Sequence, residues 1–289
     1  MGRTQACREG DAVMIYDEPV FRPLGDRYLA VEFGDEANLL LNFRVIALQE
    51  ALEAEAIDGV IELIPSLREL GIVFDFDRTS HRRLENAIKP LLPHVRDPKS
   101  LRSRHVRLPV WYDDPWSAEI ARRYKVEKNI DFIARCNNLT IEQVIETHTA
   151  SDYWIVCVGF TPGCYFSRVL DPSKWITAPK YKVPRSYTPA RCLALAGFST
   201  GPYPVASPGG YQLLGRLAVN LYEPIPRNKD FPEDGVLLRA GDRLRYYSVS
   251  PLEYDEIWES VQRGTYDYGF RDEVFDVADY LATLDKPGA

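Results

Sequence analysis

The feature that most constrains the fold is a stretch dense in glycine and proline that extends from residue 158 to residue 220. Short apolar runs lie between these glycines and prolines, for example at 192–196 and 211–214, and their lengths are typical of strands. Turns of this composition leave backbone N–H groups unshielded along a fixed path, which suits them to hold an anion or an amide. The stretch therefore predicts a β-rich body whose loops present backbone groups to a ligand.

The part of the chain before this stretch shows alternating strand and helix patterns. Apolar periodicity predicts strands at 26–33, 59–65, 70–76 and 105–111, and helices at 35–54 and 79–91. The resulting β-α-β-β-α-β order is typical of the split βαβ fold, so we expect a ferredoxin-like α/β domain over residues 1–111. No glycine-rich loop joins a strand to a helix there, so we assign no nucleotide to this domain.

Helical patterns flank the β-rich body on both sides. Helices are predicted at 113–124, 129–136 and 140–148, and further strands at 235–238 and 242–249. Beyond residue 250, the apolar spacing favours helices near 254–261 and 274–284. The predicted class is α+β, with a β-body domain at 112–250 that includes the helical lead-in, and a C-terminal helical tail at 251–289.

Composition argues against several classes of protein. With 289 residues, of which 45% are hydrophobic, the chain can bury the cores of two domains. Lysine and arginine number 35 against 42 acidic residues, so the mildly acidic surface does not favour nucleic acid. No apolar run reaches the roughly 18 residues that a membrane span needs, and the N-terminus lacks the apolar core of a signal peptide. We therefore expect a cytoplasmic protein that does not bind a membrane.

Motifs for several common chemistries are absent from the chain. It has no dinucleotide, P-loop, zinc-protease or nucleophile-elbow motif. The cysteines lack CxxC spacing and lie mostly in apolar contexts, so we predict buried free thiols, not disulfides or zinc ligands, and no bound metal. The biotinyl lysine of carrier domains lies between methionines, and neither Met1 nor Met14 adjoins a lysine. Any biotin would therefore arrive on another chain.

Five motifs occur in a fixed order through the β-rich body: GFTPG (159–163), LDP (170–172), PKYKVPR (179–185), AGFSTGPYP (196–204) and SPGGYQLLGR (207–216). They resemble the family that holds the B component of bacterial ATP-dependent 5-oxoprolinase, the kinase inhibitor KipI and allophanate hydrolase subunit 1. GDRYLAVEFGD (25–35) and NIDFIARCNNL (129–139) extend the resemblance to the carboxyltransferase region of biotin-dependent urea carboxylase. Cys164, Ser199 and Leu217 depart from the pattern of the oxoprolinase-type members, so the substrate can differ from both 5-oxoproline and urea.

This resemblance implies a cyclophilin-like β-barrel at 112–250 and a carboxyltransferase subunit. Carboxybiotin on another chain would deliver its carboxyl group to an amide-type nitrogen, and activity would require a second carboxyltransferase subunit similar to allophanate hydrolase subunit 2. A biotin carboxylase and a biotin carrier protein are the further partners implied. Two alternatives stay open, a subunit of an ATP-dependent 5-oxoprolinase-like complex and a KipI-like regulator that docks on a sensor kinase.

Three residues are catalytic candidates, each with a structural alternative. His148 matches a histidine of the oxoprolinase-type members and would titrate near neutrality as a base, or it complements a helix dipole. Asp171 is a candidate general base or a turn residue before Pro172. Lys180 is a candidate anion-binding group or part of a solvated loop.

The substrate-binding candidates lie in the same motifs. Backbone N–H groups at the glycine turn would form an oxyanion nest, and the arginines would hold a carboxylate or pair with an acidic residue. The serine, threonine and tyrosines of these motifs either face the substrate or belong to a tight hairpin, and the glutamine would bind an amide or face solvent. The full set is Arg185, Ser199, Thr200, Tyr203, Gly209, Gly210, Tyr211, Gln212 and Arg216.

Overall fold

The computed structural model describes residues 15–284, which form two compact units divided between Pro98 and Lys99. Each unit has its own apolar core. The division lies earlier in the chain than the boundary expected after residue 111, because the strand predicted at 105–111 pairs only with strands of the second unit. Cys7, one of the predicted free thiols, lies outside the described residues.

The first unit contains a four-stranded antiparallel sheet. Its strands are β1 (Ile15–Pro23), β2 (Tyr28–Gly34), β3 (Val60–Pro65) and β4 (Glu69–Phe74), and its α-helices are α1 (Leu39–Glu55), α2 (His81–Ile88) and α3 (Leu92–Val95). The strand order is β1-β2-β4-β3. Strand β1, which the sequence did not predict, occupies the edge beside β2, and the predicted strand at 105–111 is not part of this sheet. The ferredoxin-like domain is therefore not confirmed, although the intervening strands and helices are.

The second unit is built on a closed β-barrel, which confirms the predicted β-rich body. The barrel strands are β5 (Ser100–Tyr112), β6 (Tyr153–Val158), β7 (Tyr165–Val169), β9 (Cys192–Ala196), β10 (Ser199–Tyr203), β12 (Gln212–Leu217) and β13 (Arg243–Ser248). They follow the order β12-β9-β10-β7-β6-β13-β5, and β5 pairs back with β12 to close the ring. A separate two-stranded sheet joins β8 (Arg185–Thr188) to β11 (Ser207–Gly209).

Five α-helices accompany the barrel within residues 99–284. They are α4 (Pro115–Tyr124), α5 (Asn129–Asn137), α6 (Ile141–Thr149), α7 (Pro251–Gln262) and α8 (Val277–Leu284). The predicted capping box at the start of α6 is present, with Thr140 and Gln143 each bonding to the other's backbone. Of the helices between residues 15 and 284, none combines the length and the apolar character that crossing a bilayer requires.

The C-terminal segment differs from the predicted helical tail. Residues 274–284 were expected to form one helix, but the chain first forms strand β14 (Arg271–Asp276), which adds to the barrel beside β5. The strand predicted at 235–238 is reduced to one isolated bridge between Tyr222 and Val236. Both differences arise because pairing depends on which strand edge is within reach, which local periodicity does not encode.

Barrel strands place successive side chains on opposite faces, which creates an apolar core inside the barrel and a second apolar layer outside it. On β9, Leu193 and Leu195 belong to the interior core, whereas Cys192 and Ala194 pack in the outer layer. Ile120 of α4 belongs to the same outer layer, together with Tyr203 of β10. The outer face of the barrel wall is therefore covered, and the candidate site lies on this side.

Candidate functional site on the outer barrel wall

A cavity of about 400 Å³ lies against the outer face of β7 and β10. Its walls contain five aromatic rings and two lysines, and no acidic side chain lines it. The lining residues are Phe160, Cys164, Phe166, Lys180, Tyr181, Lys182, Pro184, Gly201, Pro202, Tyr203, Pro208, Gly209, Gly210 and Tyr211. Five of the predicted site residues therefore meet here: Lys180, Tyr203, Gly209, Gly210 and Tyr211.

Strand alternation decides which residues of β7 and β10 reach this cavity. Phe166 and Gly201 line it, whereas Tyr165 and Thr200 are buried in the barrel interior. Gly201 is required by close packing, because a Cβ atom there would lie 2.3 Å from the carbonyl oxygen of Tyr165. At Gly201 the cavity is therefore lined by the strand backbone, with no side chain.

Tyr181 holds the loop that carries the two lysines. Its backbone N–H donates a hydrogen bond of 2.7 Å to the carbonyl of Gly210. The guanidinium of Arg185 lies 5.0 Å from the centre of the Tyr181 ring, and the amide of Asn129 donates to the Tyr181 hydroxyl. Lys180 and Lys182 therefore flank a fixed aromatic ring, and both are exposed to solvent.

Arg185 supports the cavity without lining it. The residue is 3% exposed, and it donates hydrogen bonds to the carbonyl of Tyr211 at 2.8 Å and to the hydroxyl of Thr188 at 3.3 Å. Its third guanidinium nitrogen is buried without a hydrogen-bond partner, so the contact with an anion expected for Arg185 stays a prediction. Its position indicates a role in holding the cavity walls together.

The glycine turn packs against Tyr203 instead of forming an oxyanion nest. A nest requires backbone of alternating handedness, and neither Gly209 nor Gly210 has a positive φ. The N–H of Tyr211 already donates to the hydroxyl of Tyr203 at 3.2 Å. Gly209 is needed for a different reason, since a Cβ atom there would lie 2.1 Å from the Tyr203 hydroxyl oxygen.

Tyr203 of β10 and Tyr211 of the glycine turn both place phenols at the cavity. Burial raises the pKa of Tyr203 and of Tyr211, and the hydrogen bond from the Tyr211 backbone opposes part of the rise for Tyr203. Both phenols therefore keep their protons at neutral pH. Ser199 is not a lining residue, and its buried hydroxyl has no hydrogen-bond partner, so its substrate-facing role stays a prediction.

Gln212 lines a second cavity, of about 410 Å³, on the other side of the lysine loop. Lys180, Tyr181 and Lys182 form the wall that the two cavities share. The Gln212 side-chain amide donates to the carbonyl of Pro179 at 2.9 Å, which fixes its orientation. The predicted amide-binding role stays a prediction, and it concerns this second cavity.

His148 is enclosed in the barrel, where it cannot reach either cavity. Its ring is stacked on Tyr246, its Nδ1 lies 2.7 Å from the Tyr112 hydroxyl, and its Nε2 lies 3.4 Å from the Thr200 hydroxyl. Burial lowers its pKa to about 3, so the imidazole is neutral at physiological pH. Neither the expected general base at His148 nor the expected substrate contact at Thr200 is supported.

Arg216 and Asp171 also lie away from the cavity. The guanidinium of Arg216 is 4.3 Å from the ring centre of Trp116 on α4, and its charge partly offsets the rise that burial causes in the pKa of Asp114. Asp171 caps the short 3₁₀ helix Pro172–Lys174, and its carboxylate accepts a hydrogen bond of 2.9 Å from Ser173 N. For Asp171 the contacts favour the turn role. For Arg216 the contact is with an aromatic ring, its buried Nε has no hydrogen-bond partner, and no ion pair with an acidic residue forms within residues 15–284. Its carboxylate-binding role stays a prediction.

Replacing Asp171 by alanine is expected to destabilise the chain by about 1 kcal/mol, because the cap is lost. Activity of the assembled complex should stay within about twofold of wild type, a change well below 1.4 kcal/mol. Chemical denaturation and steady-state kinetics of the same preparation measure both quantities. A large loss of turnover without a loss of stability would return Asp171 to the list of catalytic candidates.

Several lining residues were not among the predicted site residues: Phe160, Cys164, Phe166, Tyr181, Lys182 and Gly201. Most of them lie inside the five motifs. The motifs therefore indicated the position of the cavity correctly, although the individual residues predicted within them were only partly the lining ones. Cys164 is not a nucleophile at neutral pH, because burial raises its pKa to about 12. The described cysteines are free, as predicted, although Cys136 is exposed instead of buried.

The matches with known proteins agree with this fold and these motifs. Residues 19–232 match the family described as "Carboxyltransferase domain, subdomain C and D", and the chain belongs to this carboxyltransferase domain family. It is 30% identical over 241 residues to the B component of 5-oxoprolinase from Bacillus subtilis, covering 80% of this chain and 93% of that protein.

Larger proteins match over a longer part of this chain. Urea amidolyase of Saccharomyces cerevisiae is 26% identical over 277 residues, which are 91% of this chain but 15% of the yeast protein. The crystal structure of Kluyveromyces lactis urea carboxylase aligns with a TM-score of 0.80 at 24% identity, over 95% of this chain and 26% of that one. This structural match shows the fold that the two chains share.

Proposed function

We propose that this chain is the carboxyltransferase component of a biotin-dependent amide carboxylase-like complex. The observation that carries the proposal is the aromatic cavity with Lys180 and Lys182 on one wall and no acidic lining residue. The matches to urea amidolyase and to the carboxyltransferase domain family support it. Biotin, carried on another chain, would supply the carboxyl group that passes to an amide-type nitrogen.

The residues present suit a planar ureido ring that bears a carboxylate. A volume of about 400 Å³ lies within the range of small-molecule sites, which is about 300–1,000 Å³. Once a ligand fills the cavity, the aromatic walls would keep water away from a labile carboxyl group. The protonated phenols of Tyr203 and Tyr211 are donors for an oxygen that becomes negatively charged, and the two lysines neutralise a carboxylate.

The cavity lacks an evident proton acceptor. No carboxylate or imidazole is among its lining residues, and His148 lies in the barrel interior. We therefore infer that a second carboxyltransferase subunit contributes the base, and that this chain is active only in its presence. A biotin carboxylase and a biotin carrier protein complete the proposed complex.

Reconstitution with these partners tests the proposal. The complex should consume ATP in response to one member of a panel of urea, guanidine, lactams and simple amides, and avidin should block the reaction. Replacing Lys180 by alanine should lower kcat/KM by about 10- to 100-fold, because one charged group at the carboxylate is lost. The control is Lys229→Ala, which removes an exposed lysine that lines neither cavity. Equal losses in both variants would remove Lys180 from the site.

A second candidate is a subunit of an ATP-dependent 5-oxoprolinase-like complex. The observation that favours it is the match to the B component of 5-oxoprolinase over 93% of that protein. In this case the chain and its partner should open 5-oxoproline with ATP, and avidin should have no effect. Sensitivity to avidin therefore separates the two candidates in one assay.

A further inference from the structure

Phe160 has an unusual backbone conformation for a bulky residue. Its φ is 75°, in the left-handed region where an L side chain is strained. The side chain is nevertheless 66% exposed, so burial does not compensate for this strain. Phe160 also lines the aromatic cavity, at the loop between β6 and β7.

The other non-glycine residues with positive φ have local reasons for it. Ala56, Lys125 and Asn138 each end a helix, where a left-handed residue is the usual cap. Arg191 is buried with its guanidinium against a tryptophan ring, and Asp113 forms an ion pair with a neighbouring lysine. Phe160 has neither a capping role nor a packing partner of these kinds among the described residues.

The loop around Phe160 is held firmly in place. Gly159 N–H donates to the carbonyl of Cys164 at 2.9 Å, and Cys164 N–H donates to the carbonyl of Thr161 at 3.0 Å. Gly163 packs closely against the segment that follows β12, because a Cβ atom there would lie 2.6 Å from the carbonyl oxygen of Leu221. The strained conformation is therefore imposed by the surrounding loop, which fixes the backbone of Phe160.

This arrangement gives the folded chain little benefit by itself. Within the described residues, no aromatic ring stacks on Phe160 and no cation lies over it. Strain that is maintained without a local gain in packing is characteristic of residues that contact a ligand. The ring lies at the edge of a cavity whose other walls are also aromatic.

We propose that Phe160 is a ligand-contacting residue that packs against the ureido ring of biotin in this cavity. The inference rests on the proposed carboxyltransferase function and adds a specific residue to it. The preformed backbone keeps the ring exposed before the ligand arrives, so little conformational entropy is lost on binding. The proposal predicts opposite effects of Phe160 on two quantities: the residue should lower the stability of the folded chain and raise its affinity for biotin.

Four variants of the full chain test these opposite effects on stability and affinity. Biocytin is the probe, because it presents biotin on a lysine side chain. Phe160→Asn should raise the midpoint of thermal unfolding by about 2–4 °C, since asparagine tolerates the left-handed region, and should weaken biocytin binding about tenfold. Phe160→Leu keeps the strain but lacks the ring, so it should weaken binding without raising the midpoint. Phe160→Tyr should resemble wild type in both. Ala56→Asn changes a left-handed residue in the first unit and should leave binding unchanged.

The outcomes are distinguishable. Stabilisation of Phe160→Asn together with weaker biocytin binding supports the inference. Unchanged biocytin affinity in Phe160→Asn and Phe160→Leu overturns it, and if these variants then fail to retain the partner subunit, Phe160 contacts a protein instead. Failure of the wild-type chain and of its assembled complex to bind biocytin would overturn the proposed biotin-dependent function itself.

Discussion

Replacing Gly209 by valine is expected to lower kcat/KM of the assembled complex by about 100-fold or more. A Cβ atom at this position would lie 2.1 Å from the hydroxyl oxygen of Tyr203 and 2.3 Å from the nearest carbon of its ring. The tyrosine ring must therefore move, and with it the hydrogen bond that its hydroxyl accepts from Tyr211 N–H. Because both tyrosines line the cavity, the change alters its shape and its donors together.

Gly210→Ala is the matched control for this prediction. A Cβ atom there would meet its nearest neighbour, the carbonyl oxygen of Tyr181, at 3.5 Å, which is an ordinary contact. Gly210→Ala should therefore keep activity within about threefold of wild type, which corresponds to less than 1 kcal/mol. Thermal unfolding of both variants shows whether the valine also costs the ~1–3 kcal/mol typical of overpacking. If Gly209→Val is stable and fully active, the glycine turn has no part in the site.

Acidification from pH 7.5 to pH 5 is expected to cost the barrel about 2 kcal/mol through His148 alone. Burial lowers the pKa of His148 to about 3 in the folded chain, whereas the unfolded chain has the ordinary value of 6.5. Between these values the unfolded state binds a proton that the folded state does not. Stability is therefore complete above about pH 6.5 and falls as the pH decreases toward 3.

Denaturant unfolding at several pH values measures this effect. His148→Gln should lower stability at neutral pH, and it should remove about 2 kcal/mol of the difference between pH 7.5 and pH 5. Tyr112→Phe is the control, because it removes a hydrogen-bonding partner of His148 but leaves the imidazole buried. That variant should be less stable at every pH and keep the wild-type slope. An unchanged slope in His148→Gln would show that the imidazole is not the group responsible.

The same buried histidine bears on the mechanism. His148 is separated from the cavity by the barrel wall, since the strand residues that it contacts point inward while their neighbours point outward. A pH dependence of kcat/KM near neutrality should therefore originate in the partner subunit or in the substrate, and it should persist in any folded His148 variant. The barrel wall thus separates the buried His148, which affects stability, from the outer face, which carries the candidate site.

The success of the sequence predictions depended on the range of the interactions that they required. The capping box at Thr140 and the helices at 113–124 and 129–136 depend on neighbours a few residues away, and they are confirmed within one or two residues. Strand β5 contains the predicted strand at 105–111 but begins at Ser100 and belongs to the second unit, because its pairing partners are distant in sequence. The edge strand β14 was missed for the same reason. Strand β1 was also missed, although it pairs with the neighbouring β2.

The sequence alone determined the family, the local elements and the motifs that surround the site, because each depends on residue types at fixed short spacings. Only the tertiary structure decided which residues of those motifs share a cavity. Neighbouring side chains on a strand point to opposite faces, so Thr200 meets His148 inside the barrel while Gly201 lines the cavity outside it. The tertiary structure also showed that Arg185 is buried behind the cavity wall and that Phe160 has a strained backbone. Burial and backbone geometry arise only when distant segments pack together.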